Sequence, residues 1–160
     1  MSLDDDIAIL EQVPLFEGFA RDQLRLLAFG AENRRLSAGA VLYRQGAYAE
    51  GGFVIRDGII ELHSGNGTGP VVETVGRGGL VGQMAMISAT DHVTTAVSPQ
   101  GGAVLKIARP LFRRMLEEYP DLAERLHERI RRELADFVAR LDRVRRDLDS
   151  VPQERSLSDT

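Results

Sequence analysis

The sequence predicts a mainly β domain with helical flanks, a roll or barrel of short strands set between N-terminal helices and a long C-terminal helix. Three observations carry this reading. Fourteen of the sixteen glycines fall between Gly39 and Gly102, where they separate short β-branched runs. The first thirty residues instead distribute apolar side chains among polar ones at helical intervals. After Pro110 the helical spacing returns and continues to about Leu148.

At 160 residues and 17.6 kDa, the chain fits one domain able to bury its own core. In the N-terminal part, Ile7, Leu10 and Val13 and then Leu24, Leu27 and Phe29 recur among polar residues, with Pro14 and Gly18 interrupting. Two short helices joined by a turn are expected. Strands are expected at Val41 to Tyr43, Phe53 to Ile55, Ile59 to Leu62, Val71 to Val75, Val93 to Val97 and Val104 to Ile107. HSGNGTGP at 63–70 has the composition of a hairpin loop.

Beyond the strands, Leu111 to Glu118 reads as a short helix and Pro120 as the first-turn residue of a longer one. In the longer helix Ile130, Leu134, Phe137, Leu141, Val144 and Leu148 follow a four-three spacing. That is a coiled-coil seam, so a parallel homodimer through residues 120–148 is expected, with packing of the helix on its own roll as the alternative. Residues 1–149 are read as one domain and 150–160, polar and proline-interrupted, as a flexible tail.

Composition narrows the function classes. Without cysteine there is no disulfide framework, thiolate metal site or cysteine nucleophile. His63, His92 and His127 lie far apart with no metal-binding pairing. No run approaches the roughly 20 apolar residues of a membrane span. The acidic start at Asp4, Asp5 and Asp6 lacks the basic region of a secretory signal, so a cytoplasmic location is expected. The net charge is −4, and in residues 109–149 eleven arginines face ten acids. A stripe neutralised in place does not predict direct nucleic-acid binding. No nucleophile–base pair or Walker-type loop appears, and the adjacent Glu117 and Glu118 lie on a helix surface, so no enzyme is expected.

Four segments in order resemble the cyclic nucleotide-binding domain superfamily, which includes Crp/Fnr-type regulators, kinase regulatory subunits and nucleotide-gated channels. PLFEGFARDQLRLLA at 14–28 is similar to the family's first helix, where Leu15, Phe16, Phe19 and Leu24 would seat it on the roll. In RQGAYAEGGFVIRDGIIEL at 44–62, Gly46 and Gly58 stand twelve apart at turns while Phe53, Ile55, Ile60 and Leu62 alternate inward. GGLVGQMAMISATDHVTTA at 78–96 resembles the phosphate-binding cassette, and the terminal helix pair completes the order. The resemblance implies a double-stranded β-helix, a jelly-roll-like β-roll, with a C-terminal dimerisation helix.

In the cassette, backbone amides of a short helix cradle a cyclic phosphate. The resemblance implies two completing side chains, a glutamate for the ribose hydroxyl and an arginine about nine or ten residues later for the phosphate. Carried onto this chain, the glycine is Gly82, the glutamate is Gln83, and the arginine is His92 or, second, Val93. The ligand-binding set is then Gly82, Gln83, Met84, Ala85, His92, Val93 and Thr94. Met84, Met86 and Ile87 are expected to pack the cassette on the core, and one of Thr94 and Thr95 to face the pocket. Both signature charges are absent, and no arginine occurs from Gly78 through Ala108. One lost charge-assisted contact is worth about 1.5–3 kcal/mol, so binding of cyclic AMP or cyclic GMP is expected to be weak.

The expected function is a ligand-sensing regulatory module for a cyclic nucleotide or other small anion, transmitting its state to an effector protein or domain. The alternative is a dimerisation and protein-docking domain that has lost nucleotide binding.

Overall fold

The computed structural model describes residues 2–150 and divides into two compact units, Met1–Pro120 and a second beginning at Asp121. Helix α1 (Leu3–Glu11) starts at Ser2 because side chain and backbone satisfy each other there. The Asp5 amide donates to Ser2 Oγ at 3.2 Å, and the Ser2 amide donates to the Asp5 carboxylate at 3.1 Å. A 3-10 turn at Pro14–Phe16 leads to α2 (Arg21–Gly30), where the Ala20 amide donates to Gln23 Oε1 at 2.7 Å. Ile7, Leu10, Val13, Leu15, Phe16, Leu24 and Leu27 are buried, and Phe19 packs against Phe16 with centroids 5.3 Å apart and ring planes tilted by 34°. Phe29 breaks the expected pattern and lies exposed, since two residues past Leu27 is the far side of a helix.

Ten antiparallel strands follow: β1 (Glu32–Leu36), β2 (Ala40–Tyr43), β3 (Tyr48–Ala49), β4 (Gly51–Asp57), β5 (Ile60–His63), β6 (Val71–Val75), β7 (Leu80–Val81), β8 (Thr90–Asp91), β9 (Thr95–Ser98) and β10 (Gly102–Ala108). One sheet runs β1-β10-β4-β7 and another β2-β9-β5-β6, while β3 and β8 form a two-stranded ribbon. The fold is thus the expected mainly β-roll with flanking helices. Phe53, Ile55, Val81 and Val104 of the first sheet meet Ile60, Leu62 and Ala96 of the second to form the core. Burial of these apolar faces is the dominant stabilising term.

The predicted hairpin closes as β5 pairs with β6, Ile60 opposite Val75, around the 63–70 loop. Gly46 and Gly58 take φ of 86° and 81°, as tight turns there require. Strand β1, with the sequence ENRRL, is a charged outer strand that carries no β-branched signal, and β3, β7 and β8 are only two residues long. The strand expected at Val93 begins only at Thr95, because Thr90–Asp91 is taken by the ribbon with Tyr48–Ala49.

A buried ion pair joins α1 to the roll. Arg56 on β4 donates through Nη1 to the Asp6 carboxylate and, at 2.9 Å, to Asn33 Oδ1. Both charged side chains are almost fully buried, so each needs the other. Helix α3 (Arg109–Glu118) buries Phe112 and Met115, with Phe112 against Phe16 at 6.1 Å between centroids.

Helix α4 (Pro120–Ser150), two residues longer than expected, belongs to the second unit from Asp121 onward. Along it Leu134, Leu141, Val144 and Leu148 of the expected seam are exposed, and Val138 is exposed beside them. The Phe137 side chain and residues 151–160, most of the expected tail, lie outside the described residues.

Candidate ligand cavity

The segment from Gly78 to Ala96 is held in place by glycine geometry and by one methionine. Gly82 adopts φ 74° and opens a single 3-10 turn, Gln83–Met86, in which the Ala85 amide donates to the Gly82 carbonyl at 3.0 Å. An L side chain at Gly82 would be strained and would stand 3.2 Å from the Gly51 carbonyl oxygen. Met86 anchors the turn. It is fully buried, and a Cβ on Gly52 would come 2.9 Å from its Cγ, so the glycine leaves room for the anchor.

Met84 departs from expectation. It was expected to pack inward with Met86, but it is exposed and lines the cavity, because two positions in a three-residue turn place side chains on different faces. Ile87 is half-buried.

Between this turn and the second sheet lies a cavity of about 420 Å³. Tyr43, Leu62, Val72, Met84, Ala85 and Val93 form its apolar wall, and Gln83, Ser88, Thr90 and Thr94 contribute amide and hydroxyl groups. Its charged lining residues, among the described residues, are Glu73 and Asp91, both acidic. Apolar walls with a few polar groups are the usual make-up of a small-molecule site.

Six of the seven residues singled out from the sequence, Gly82, Gln83, Met84, Ala85, Val93 and Thr94, line this cavity. His92 does not. Its backbone continues the β3–β8 ribbon, donating to the Ala47 carbonyl at 2.9 Å and accepting from the Gly46 amide at 2.8 Å. Its ring lies on Tyr43, centroids 3.7 Å apart and planes 8° from parallel. Burial pushes its pKa below the ordinary value of 6.5, against the pull of the Asp91 charge, so the ring is neutral at pH 7. Val93, the other position offered for the arginine, faces the cavity with an apolar side chain.

Tyr43 therefore forms the inner wall, backed by His92. Burial raises the pKa of its phenol, opposed by a hydrogen bond with Thr94 and assisted by the Glu73 charge. The phenol stays protonated. Thr95 turns the opposite way from Thr94, accepting from the Gln45 amide at 2.9 Å and donating to the Gly65 carbonyl. With Gln45 Oε1 accepting from the Gly65 amide at 2.6 Å, this pins the 63–70 loop beside the site. Sequence reasoning missed Tyr43, Leu62, Val72, Glu73, Ser88, Thr90 and Asp91 as lining residues. Glu73 carried a signal, a lone acid in the strand VVETV, and pairing places it opposite Leu62.

The Cyclic nucleotide-binding domain family matches residues 33–119, just over half of the chain. The chain belongs to that family. A solved cyclic nucleotide-binding-like protein from Brucella abortus is 47% identical, with TM-score 0.62, over 71% of this chain and 99% of that one. The cAMP-dependent protein kinase regulatory subunit of Schizosaccharomyces pombe is 31% identical over 118 residues, 72% of this chain and 27% of the relative. The N-terminal domain of a transcriptional regulator from Streptomyces coelicolor shares the fold, with TM-score 0.73 and 21% identity over 81% of this chain and 94% of that one. This cyclic nucleotide-binding domain spans under a third of the length of the curated kinase subunits it matches. Its family is one of regulatory binding domains, and no described helix is long and apolar enough to cross a membrane.

Proposed function

We propose that the chain is a ligand-sensing regulatory module whose cavity retains the backbone of the phosphate-binding cassette but binds cyclic AMP and cyclic GMP weakly. The observation that carries this reading is a cavity bounded by Gly82, Gln83 and Ala85 with no cationic side chain among its lining residues. The guanidinium that pairs with the phosphate in the family's clamp has no counterpart there, since His92 is stacked away as a neutral ring and Val93 is apolar. Gln83 keeps a carbonyl able to accept from a ribose hydroxyl, so binding is weakened and not abolished.

The second part of the reading is that α4 joins two copies in a parallel dimer and passes the state of the cavity to an effector protein or domain. Four apolar seam residues left exposed on one helix support it. Calorimetric titration with cyclic AMP and cyclic GMP tests the sensing function. Dissociation constants weaker than about 10 μM are expected. Nanomolar binding would show that backbone and hydroxyl groups suffice and would overturn the weak-binding reading.

A further inference from the structure

We infer that the cavity is built for a non-anionic heteroaromatic ligand of nucleoside size, and that a phosphate on such a ligand is a penalty here. This rests on the sensing reading above and specifies its ligand class.

Three observations lead to it. The first is charge: the charged residues of the wall are Glu73 and Asp91, and both repel an anion. Both are exposed and neither belongs to an ion pair among the described residues, so their charge acts on an anion at the cavity mouth through solvent and is sensitive to salt. The local charge of the cavity is thus unfavourable to phosphate.

The second observation is the mouth. Val72, Met84 and Val93 are 57%, 54% and 82% exposed, and all three line the same opening. Three large apolar side chains kept in water around one cavity gain most from a ligand that presents an apolar face. A flat heteroaromatic ring fits, because the Met84 thioether is free to turn onto it and makes favourable contact with aromatic edges.

The third is the distribution of polar groups. Gln83, Ser88, Thr90 and Thr94 supply uncharged donors and acceptors, the complement of ring nitrogens and ribose hydroxyls. Tyr43 is held by His92 behind it and engaged with Thr94, so the inner wall is fixed before the ligand arrives.

The test is calorimetric titration of the full chain with adenosine, guanosine, cyclic AMP and cyclic GMP, at low and at high salt. At low salt the better nucleoside is expected to bind at least about threefold more tightly than its cyclic nucleotide, with the gap narrowing as salt screens the carboxylates. Glu73→Gln with Asp91→Asn is expected to shift the cyclic nucleotide-to-nucleoside affinity ratio about tenfold toward the nucleotide. Circular dichroism confirms that the variant is folded. If wild type binds either cyclic nucleotide more tightly than its nucleoside, or if the double change leaves the ratio where it was, the inference is overturned while the sensing reading stands. If none of the four ligands binds in the millimolar range, both fall.

Discussion

The His92 ring lies flat on the Tyr43 ring, 3.7 Å between centroids and 8° from parallel, so the histidine supports the cavity from behind. The consequence for the clamp is positional. An arginine introduced at 93 starts from a backbone position on the cavity wall, whereas one at 92 must first abandon the stack. Gln83→Glu with Val93→Arg is therefore expected to strengthen cyclic AMP binding by at least about tenfold. Gln83→Glu with His92→Arg is expected to gain less and to melt at a lower temperature than wild type. Titration and thermal denaturation of both pairs decide the point, and a larger gain from the His92 pair would refute it.

The stack also gives the fold a pH dependence of defined sign. The folded state lowers the His92 pKa below 6.5, chiefly by burial, so the unfolded chain binds the proton more readily. The contribution is complete above 6.5 and is lost as the pH falls through that value toward the lower folded one. His92→Phe keeps a ring on Tyr43 but cannot titrate. The melting-temperature difference between wild type and this variant, followed from about pH 8 to pH 5, is expected to move against wild type as the pH falls. A constant difference would mean that burial of His92 does not penalise its charge.

The Asp6–Arg56 pair ties α1 to β4 in a nearly water-free setting. Asp6→Ala leaves the guanidinium with Asn33 as its remaining side-chain partner and is expected to cost about 3–5 kcal/mol in urea denaturation. Replacing both, Asp6→Leu with Arg56→Met, is expected to cost less than Asp6→Ala alone, because no buried charge is left unpaired. A double variant less stable than the single would show that the pair itself, and not the avoidance of a lone charge, stabilises the join.

On α4, Leu134→Asp with Leu141→Asp places two charges in the exposed apolar stripe. Wild type is expected to sediment as a concentration-dependent dimer and the double variant as a monomer. Unchanged sedimentation of the variant would remove the seam from the account of assembly.

The strands that carry β-branched runs were legible because a pleated, half-buried sheet selects those side chains, and glycine turns mark where they end. Strand β1 was not, since ENRRL at a sheet edge is specified by pairing with β10, Glu32 opposite Lys106 through Leu36 opposite Gly102, and not by its own composition. The two-residue strands are too short for any period to register.

Local order in the sequence determined the roll, its helical flanks, the turn at Gly82 and the absence of arginine from Gly78 through Ala108, because each depends on residue type and spacing within a few positions. Tertiary structure decided what faces what. Pairing of Tyr48–Ala49 with Thr90–Asp91 sets the path of the chain into position 92, which puts His92 on Tyr43 and Val93 on the wall. Glu73 comes to the site from β6, and Arg56 finds Asp6 across fifty residues of sequence. Such long-range partners leave no periodic trace in the chain, since they meet only once the sheets have closed.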